Sequence, residues 1–240
     1  MAIAWVANSG VTYGIAGSSS TITSSTGAAV STGDAIVVFV TTISTAGYQT
    51  VSSITDTAGN NAKYALCGSR YQYLLSSTYY VNTECWVAPN ITGHAANYIT
   101  ANYSTANAAS YIMAGSWSGM ALSGAYDTGY DPAGNVDATS TYTTTADTTA
   151  EDNEIIIGFF LSLVATSQTK SSSSPSVLRY VAPEATQTRC IVDNVAEAAG
   201  SFSVSVASTV NEAHICFAKA FKQAAAGVTM PIFSYHYMHH

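Results

Sequence analysis

The side chains able to do covalent, acid–base or metal chemistry are few in this sequence, and their spacing favours no such site. Five histidines are available: His94, His214, His236, His239 and His240. Three crowd the carboxy-terminus, where His236 and His240 would chelate a transition metal if that segment were helical, or if symmetric copies met on an axis. A polar tip without a ligand role is the simpler expectation, and His214, inside a strand-like run, reads as a satisfied core or interface side chain. Cys67, Cys85, Cys190 and Cys216 lack C-x-x-C spacing and lie in the apolar runs YALCG, ECWVA, RCIV and HICFA. Buried thiols are expected rather than zinc ligands, with Cys67–Cys85 or Cys190–Cys216 bridges left open. Glycoside hydrolysis needs two carboxylates facing across a cleft. Asp34, Glu84, Glu154 and Glu212 each stand at the start of a strand-like run, and nothing singles out a pair. GSWSG (Gly115–Gly119) places Trp117 where a nucleophile elbow needs serine. No G-x-x-x-x-G-K, G-x-G-x-x-G or H-E-x-x-H occurs. The chain therefore reads as a non-enzyme, with no cofactor and no metal expected.

Two polar stretches compete for a binding role. DTAGNN, from Asp56 to Asn61, offers one carboxylate where a calcium loop needs several. It supplies an Asx-turn residue plus Gly59 and Asn60 for positive φ, which predicts a hairpin bend. The long segment Ser123 to Thr149 carries Asp127, Asp131, Asn135 and Asp137, four hard oxygen donors. A solvated acidic loop with turn-forming Asp and Asn is the expectation there, and ordering by a neighbouring subunit or by calcium is the alternative.

Composition narrows the class further. Charged residues make up 9% of the 240, against roughly 25% in an ordinary soluble domain, while the hydrophobic share of 48% is unexceptional. Mixed surface charge is what keeps a free monomer in solution, so a charge-poor exterior predicts that much of it is covered by other chains. The net charge of −7 and the seven scattered Lys and Arg residues supply no basic patch, which argues against nucleic acid as a partner. No apolar run reaches the roughly 18 residues needed to cross a bilayer, so no membrane partner is expected. The opening MAIAWVANSGVTYG has no positive charge and reads poorly as a signal peptide, which points to folding in a cytoplasm.

Strand signals dominate the elements that must position all of this. DAIVVFVTTIS (Asp34–Ser44) is a β-branched run continuous enough to be buried on both faces. EIIIGFFLSLVA, from Glu154, reads the same way. YIMAGSW (Tyr111–Trp117) sets Tyr111, Met113 and Trp117 on one face against Ile112 and Ala114 on the other; SFSVSVAS (Ser201–Ser208) sets Phe202, Val204 and Val206 together. Such runs recur every 10 to 20 residues between Gly, Asn, Asp and Ser. The expected fold is all-β, an antiparallel two-sheet sandwich of jelly-roll or Ig-like topology. Residues 31–222 would form the sandwich, 1–30 an amino-terminal arm or edge strand, and 223–240 a carboxy-terminal arm. DNVAEAAG and FKQAAAG could form one helical turn each.

Sixteen tyrosines are the compositional excess that bears on partners. Tyr71, Tyr73, Tyr79 and Tyr80 cluster in SRYQYLLSSTYYVNT, expected as a loop. Ile232, Phe233, Tyr235 and Tyr237 would leave the tail exposed unless it docks on its own domain or on another copy. Both groups are interface candidates, and tyrosine also stacks on sugar rings.

The stretch from Gly33 to Gly119 resembles a β-sandwich module that recurs in tailed-phage virion proteins and some bacterial surface proteins. The resemblance rests on GDAIVVFVTT, SITDTAGNNAKY, ECWVAPNITG and YIMAGSWSG. It implies a fold and a setting, a bacteriophage virion assembled in the host cytoplasm, and transfers no active-site residue. The expectation that follows is a structural protein decorating or cementing a capsid, as a homo-oligomer such as a trimer in contact with a major capsid or other virion protein. The alternative is a glycan- or receptor-binding module of a phage fibre or bacterial adhesin.

Overall fold

β-Branched and aromatic residues between turn formers drive the chain into strands throughout. The computed structural model describes residues 2–6, 12–17, 19–75, 77–107, 109–128, 139–163, 169–182 and 188–225. The amino-terminal half contributes β1 (Ala4–Trp5), β2 (Thr12–Ala16), β3 (Ser19–Thr23), β4 (Ala28–Val30), β5 (Ala35–Ser44) and β6 (Val51–Asp56). It continues with β7 (Ala65–Leu66), β8 (Tyr71–Leu74), β9 (Tyr80–Ala88), β10 (His94–Asn97), β11 (Ile99–Asn107) and β12 (Ala109–Ser118). The second half contributes β13 (Thr139–Thr143), β14 (Asp147–Thr148), β15 (Glu154–Ser162), β16 (Lys170–Ser172) and β17 (Val177–Ala182). β18 (Arg189–Ala196), β19 (Ser201–Phe202), β20 (Ser205–Glu212) and β21 (His214–Phe221) complete it. Among the described residues there is no α-helix, only a 3-10 turn at Asn61–Lys63, and no helix long and apolar enough to cross a membrane.

These strands build an antiparallel all-β sandwich, and each half of the chain is one. In the first half an inner sheet runs β12–β5–β9, with β1 and β2 sharing the outer edge of β12 and β7 and β8 that of β9; the outer sheet is β3–β11–β6. The second half has an inner sheet β21–β15–β18–β17 and an outer sheet β13–β20–β16. Ile36, Val38, Val40, Ile112 and Ala114 fill the first sandwich with Ile22, Ile54 and Ile99; Ile156, Phe160, Cys190 and Cys216 fill the second with Tyr142, Val204 and Val206. A third core lies between the two inner sheets, where Val37, Phe39, Met113 and Trp117 meet Ile157, Phe159, Ile191 and Phe217. The order of layers is therefore outer, inner, inner, outer. Every residue of β5, β15 and β21 is buried because each inner sheet is covered on both faces. Continuous apolar strands usually signal parallel sheets; here face-to-face packing of two antiparallel sandwiches produces them.

The two halves are copies of one arrangement. In order, β3, β4, β5 and β6 correspond to β13, β14, β15 and β16; β9, β10, β11 and β12 correspond to β18, β19, β20 and β21; β17 stands for β7 and β8. Ile22, Ser24, Asp34 and Phe39 recur as Tyr142, Thr144, Glu154 and Phe159, at one constant spacing along the chain. Local bonding recurs too. Ser24 N donates to Ile99 O (2.8 Å) while Ile99 N donates to Ser24 Oγ (3.0 Å). Thr144 N donates to Val204 O (3.0 Å) while Val204 N donates to Thr144 Oγ1 (3.1 Å). The equivalent rings of Phe39 and Phe159 stack on each other across the joint between the halves, centroids 5.5 Å apart and planes 10° apart.

Several expectations are refined at this level. The two faces of Tyr111–Trp117 are as read from the sequence, one in each core. DTAGNN is turn chemistry but not a hairpin: β6 pairs with β11 in the outer sheet and β7 with β9 in the inner one, so the turn crosses between sheets. Gly59 takes φ of +78°, whereas Asn60 stays at −78°. DNVAEAAG forms no helical turn, since β18 runs to Ala196, and Lys222–Ala225 is likewise non-helical. Residues 226–240, including Ile232, Phe233, Tyr235, Tyr237, His236 and His240, lie outside the described residues.

Candidate functional site

The tyrosine cluster is not a loop but a hairpin. β8 and β9 pair with Tyr71 opposite Thr83 and Leu74 opposite Tyr80, and Leu75 N donates to Tyr79 O (2.9 Å) to close the turn. Alternation along β8 then divides the tyrosines. Tyr71 and Tyr73 turn inward and pack against the core between the two inner sheets; Tyr71 lies 6.5 Å from the Phe217 ring, and burial raises its phenol pKa. Tyr79 remains exposed, and Tyr80 meets Tyr48 edge to face at 5.1 Å. Tyr48, Leu74 and Tyr79 are 38%, 45% and 44% exposed, so with Tyr80 they form an outward apolar and aromatic surface.

Side-chain hydrogen bonds to Gln49 hold that surface in place. Gly47, at φ of +102°, turns the chain beyond β5, and the Gln49 carbonyl accepts from Thr42 Oγ1 (2.8 Å) and Asn82 Nδ2 (3.0 Å). Gln49 Oε1 accepts from Thr105 Oγ1. Tyr48 therefore sits on a loop tied to β5, β9 and β11. Tyr79 and Tyr80 are among the interface candidates read from the sequence, whereas Tyr48 and Leu74, which share this surface, are not. The glycine before Tyr48 is the signal that places it at a turn.

Of the carboxylates weighed as catalytic candidates, Glu84 is committed to hydrogen bonds within the fold. Glu84 lies in the middle of β9, not at its start. Its Oε1 accepts from Arg70 Nε (2.9 Å), Asn82 Nδ2 (2.9 Å) and Val51 N (3.1 Å), and its Oε2 from Trp86 Nε1 (2.9 Å). Asp56 accepts from Asn60 N, Asn60 Nδ2, Asn97 Nδ2 and Tyr64 Oη at 2.7–3.0 Å. Burial alone would push its carboxyl up, but these four donors outweigh that and hold it below the usual 3.8. Asp193 joins the halves: Oδ2 accepts from Arg179 Nε (2.7 Å) on β17 and from Trp117 Nε1 (3.3 Å) on β12. In the second sandwich, buried Lys170 approaches His214 Nε2 at 2.5 Å, with His214 stacked on Tyr142. Asp34 and Glu154 stand at equivalent positions where the central strands begin; Asp34 Oδ2, like Asp193 Oδ1, has no hydrogen-bond partner, and at Glu154 this holds for both oxygens.

All four cysteines are buried and none forms a disulfide, and burial raises the Cys190 thiol to about 12. No group of three or more His, Cys, Asp or Glu among the described residues is arranged to hold a metal ion. Of the calcium candidates, Asp127 is buried and its Oδ2 accepts from Ala150 N (2.8 Å); Asp131, Asn135 and Asp137 lie outside the described residues. The arrangement thus offers an uncharged aromatic surface for stacking and apolar contact.

No family model matches the chain, and no curated protein matches it. Among solved structures, the chain is similar to oxalate decarboxylase from Bacillus subtilis at pH 4.6, with 6% identity over 93% of this chain and 76% of that one. The TM-score is 0.17, too low to carry an argument about fold or function.

Proposed function

We propose that the chain is a non-enzymatic structural protein of a virus particle, decorating or cementing a capsid through contacts with its own copies and with another virion protein. The observation that supports this reading best is the Tyr48–Leu74–Tyr79–Tyr80 surface. It is apolar and aromatic, its Tyr48 loop is held by side-chain hydrogen bonds to Gln49, and it is set on a protein whose charged residues are 9% of the total. Adhesion of such a surface draws on about 25 cal/mol per Å² of apolar area buried and is little affected by salt. The four-layer block suits the role, because its charged and reactive groups are largely committed to internal bonding. The test is particle occupancy: Tyr48→Ser with Tyr79→Ser should lower it while leaving the fold intact, and unchanged occupancy would refute the role of this surface.

A glycan- or receptor-binding role is the second reading, favoured by the edge-to-face pair of Tyr48 and Tyr80, which exposes an aromatic platform of the kind sugar rings stack on. A glycan array separates the two. Specific binding that disappears in Tyr48→Ala supports recognition; silence on the array, with stoichiometric co-purification on particles, supports cement.

A further inference from the structure

The internal duplication provides a comparison within one molecule, and one equivalent position carries a buried charge in the second half and none in the first. In the first half, Val6 N donates to Ser116 O (3.2 Å), closing the amino-terminal segment onto the end of β12. In the second half the equivalent bond runs from Asp127 N to Ala220 O (2.9 Å), closing the linker between the halves onto the end of β21. Lys222 N to Ala125 O (2.7 Å) and the bridge between Tyr126 and Phe221 complete this seam. A carboxylate thus replaces the valine, and it faces the start of β15, where Glu154 is fully buried and neither oxygen has a well-formed hydrogen bond, the backbone of Glu151 giving the carboxylate only partial support. Asp34, the counterpart of Glu154, has an apolar Val6 in the matching place.

Among the described residues, the charges around Glu154 do not balance. From the linker comes Asp127, from the turn before β15 Glu151, and from the end of β21 Lys222; beyond its β18 partner Ala196 stands the exposed Glu197. Lys222 Nζ is already paired with Glu151 Oε1 at 2.5 Å. Two carboxyls in one buried, low-dielectric corner cannot both ionise cheaply. Burial first, and the field of Asp127 second, raise the Glu154 carboxyl to about 7, whereas Asp34 is raised by burial alone.

We propose that Glu154 is a proton-operated latch: while it carries a proton, the linker segment Ala125–Asp127 stays closed on the end of β21, and loss of that proton loosens this seam. The sign follows from linkage. A carboxyl whose folded value lies above its unfolded value of 4.5 binds more protons in the folded state, so stability is highest below that value and falls as pH rises towards about 7. Acidification tightens the seam.

The test compares the full chain with Glu154→Gln, which mimics the protonated acid, using urea unfolding from pH 5 to 8 and hydrogen exchange of the peptide containing Ala125–Asp127. Wild type should show an unfolding constant that rises on the order of 100-fold across that window, beyond any change in the variant. At pH 8 the variant's seam should exchange more slowly than that of wild type. Asp34→Asn should retain most of the wild-type slope. Asp127→Asn, which removes the neighbouring charge, should show a smaller pH-dependent loss and serves if Glu154→Gln fails to fold. Equal slopes in wild type and Glu154→Gln, or an unaltered loss in Asp127→Asn, would overturn the proposal. Closure of the wild-type seam at pH 8 by calcium chloride would also overturn it, assigning the corner to a cation instead.

Discussion

Substituting Phe39 by alanine probes the joint between the halves. Its ring is fully buried, stacked on Phe159 at 5.5 Å and edge-on to Phe217 at 6.4 Å. Phe-to-Ala changes in closed cores cost about 3–5 kcal/mol, combining lost transfer energy with an unfilled cavity. The site is closed on all sides by β9, β12, β15 and β21, so the upper part of that range applies. Pseudo-symmetry makes a second demand: Phe159→Ala removes the other member of the same stack and should cost about as much. The double variant should cost less than the two singles together, because the aromatic pair contributes about 0.5–1.5 kcal/mol that can be lost only once. Urea unfolding followed by tryptophan fluorescence and by far-UV circular dichroism reads all three quantities. Both probes should report one transition, as expected of halves sharing a core. A cost below about 1 kcal/mol for Phe39→Ala, or strictly additive singles with two separated transitions, would refute the shared core.

Other outcomes follow from particular contacts. Gly158→Ala should destabilise by about 1–3 kcal/mol on thermal unfolding, because an added Cβ would stand 2.5 Å from Val204 Cγ2 between the inner and outer sheets of the second half. Asp56→Asn should lose part of the turn between β6 and β7 and flatten the acid limb of the stability curve. The carboxyl is held below 3.8, so its contribution is present above that pH and disappears as pH falls through the lower folded value. Ser24→Ala and Thr144→Ala remove equivalent side-chain acceptors and should each cost about 1 kcal/mol in urea. Deleting Gly227–His240 should weaken assembly or attachment to particles while circular dichroism shows an unchanged sandwich; equal particle occupancy would refute a role for the arm.

Much of the strand content is legible in the sequence because the pleat imposes its period directly. Tyr111, Met113 and Trp117 alternate with Ile112 and Ala114, and each set fills a different core. The apolar runs of β5 and β15 correctly announce burial on two faces, but nothing local says that the second cover is the other half of the same chain. The duplication is hidden for a related reason. A sandwich asks only for an apolar residue facing inward, so Val38 can correspond to Gly158 and Ile22 to Tyr142 while the hydrogen bonding stays the same. The tyrosine cluster misleads as a cluster because one pleat sends Tyr71 and Tyr73 into the core. Glu154 looks like an ordinary residue at a strand start until the linker brings Asp127 alongside it.

The native mass of the purified chain in solution, taken across concentration and at both low and high salt, tests the central claim most directly. A surface this poor in charge, carrying exposed Tyr48, Leu74 and Tyr79, should give a defined oligomer of the 24.9 kDa chain that survives high salt and dissociates in Tyr48→Ser with Tyr79→Ser. A soluble 24.9 kDa monomer at every concentration and salt level would contradict the account.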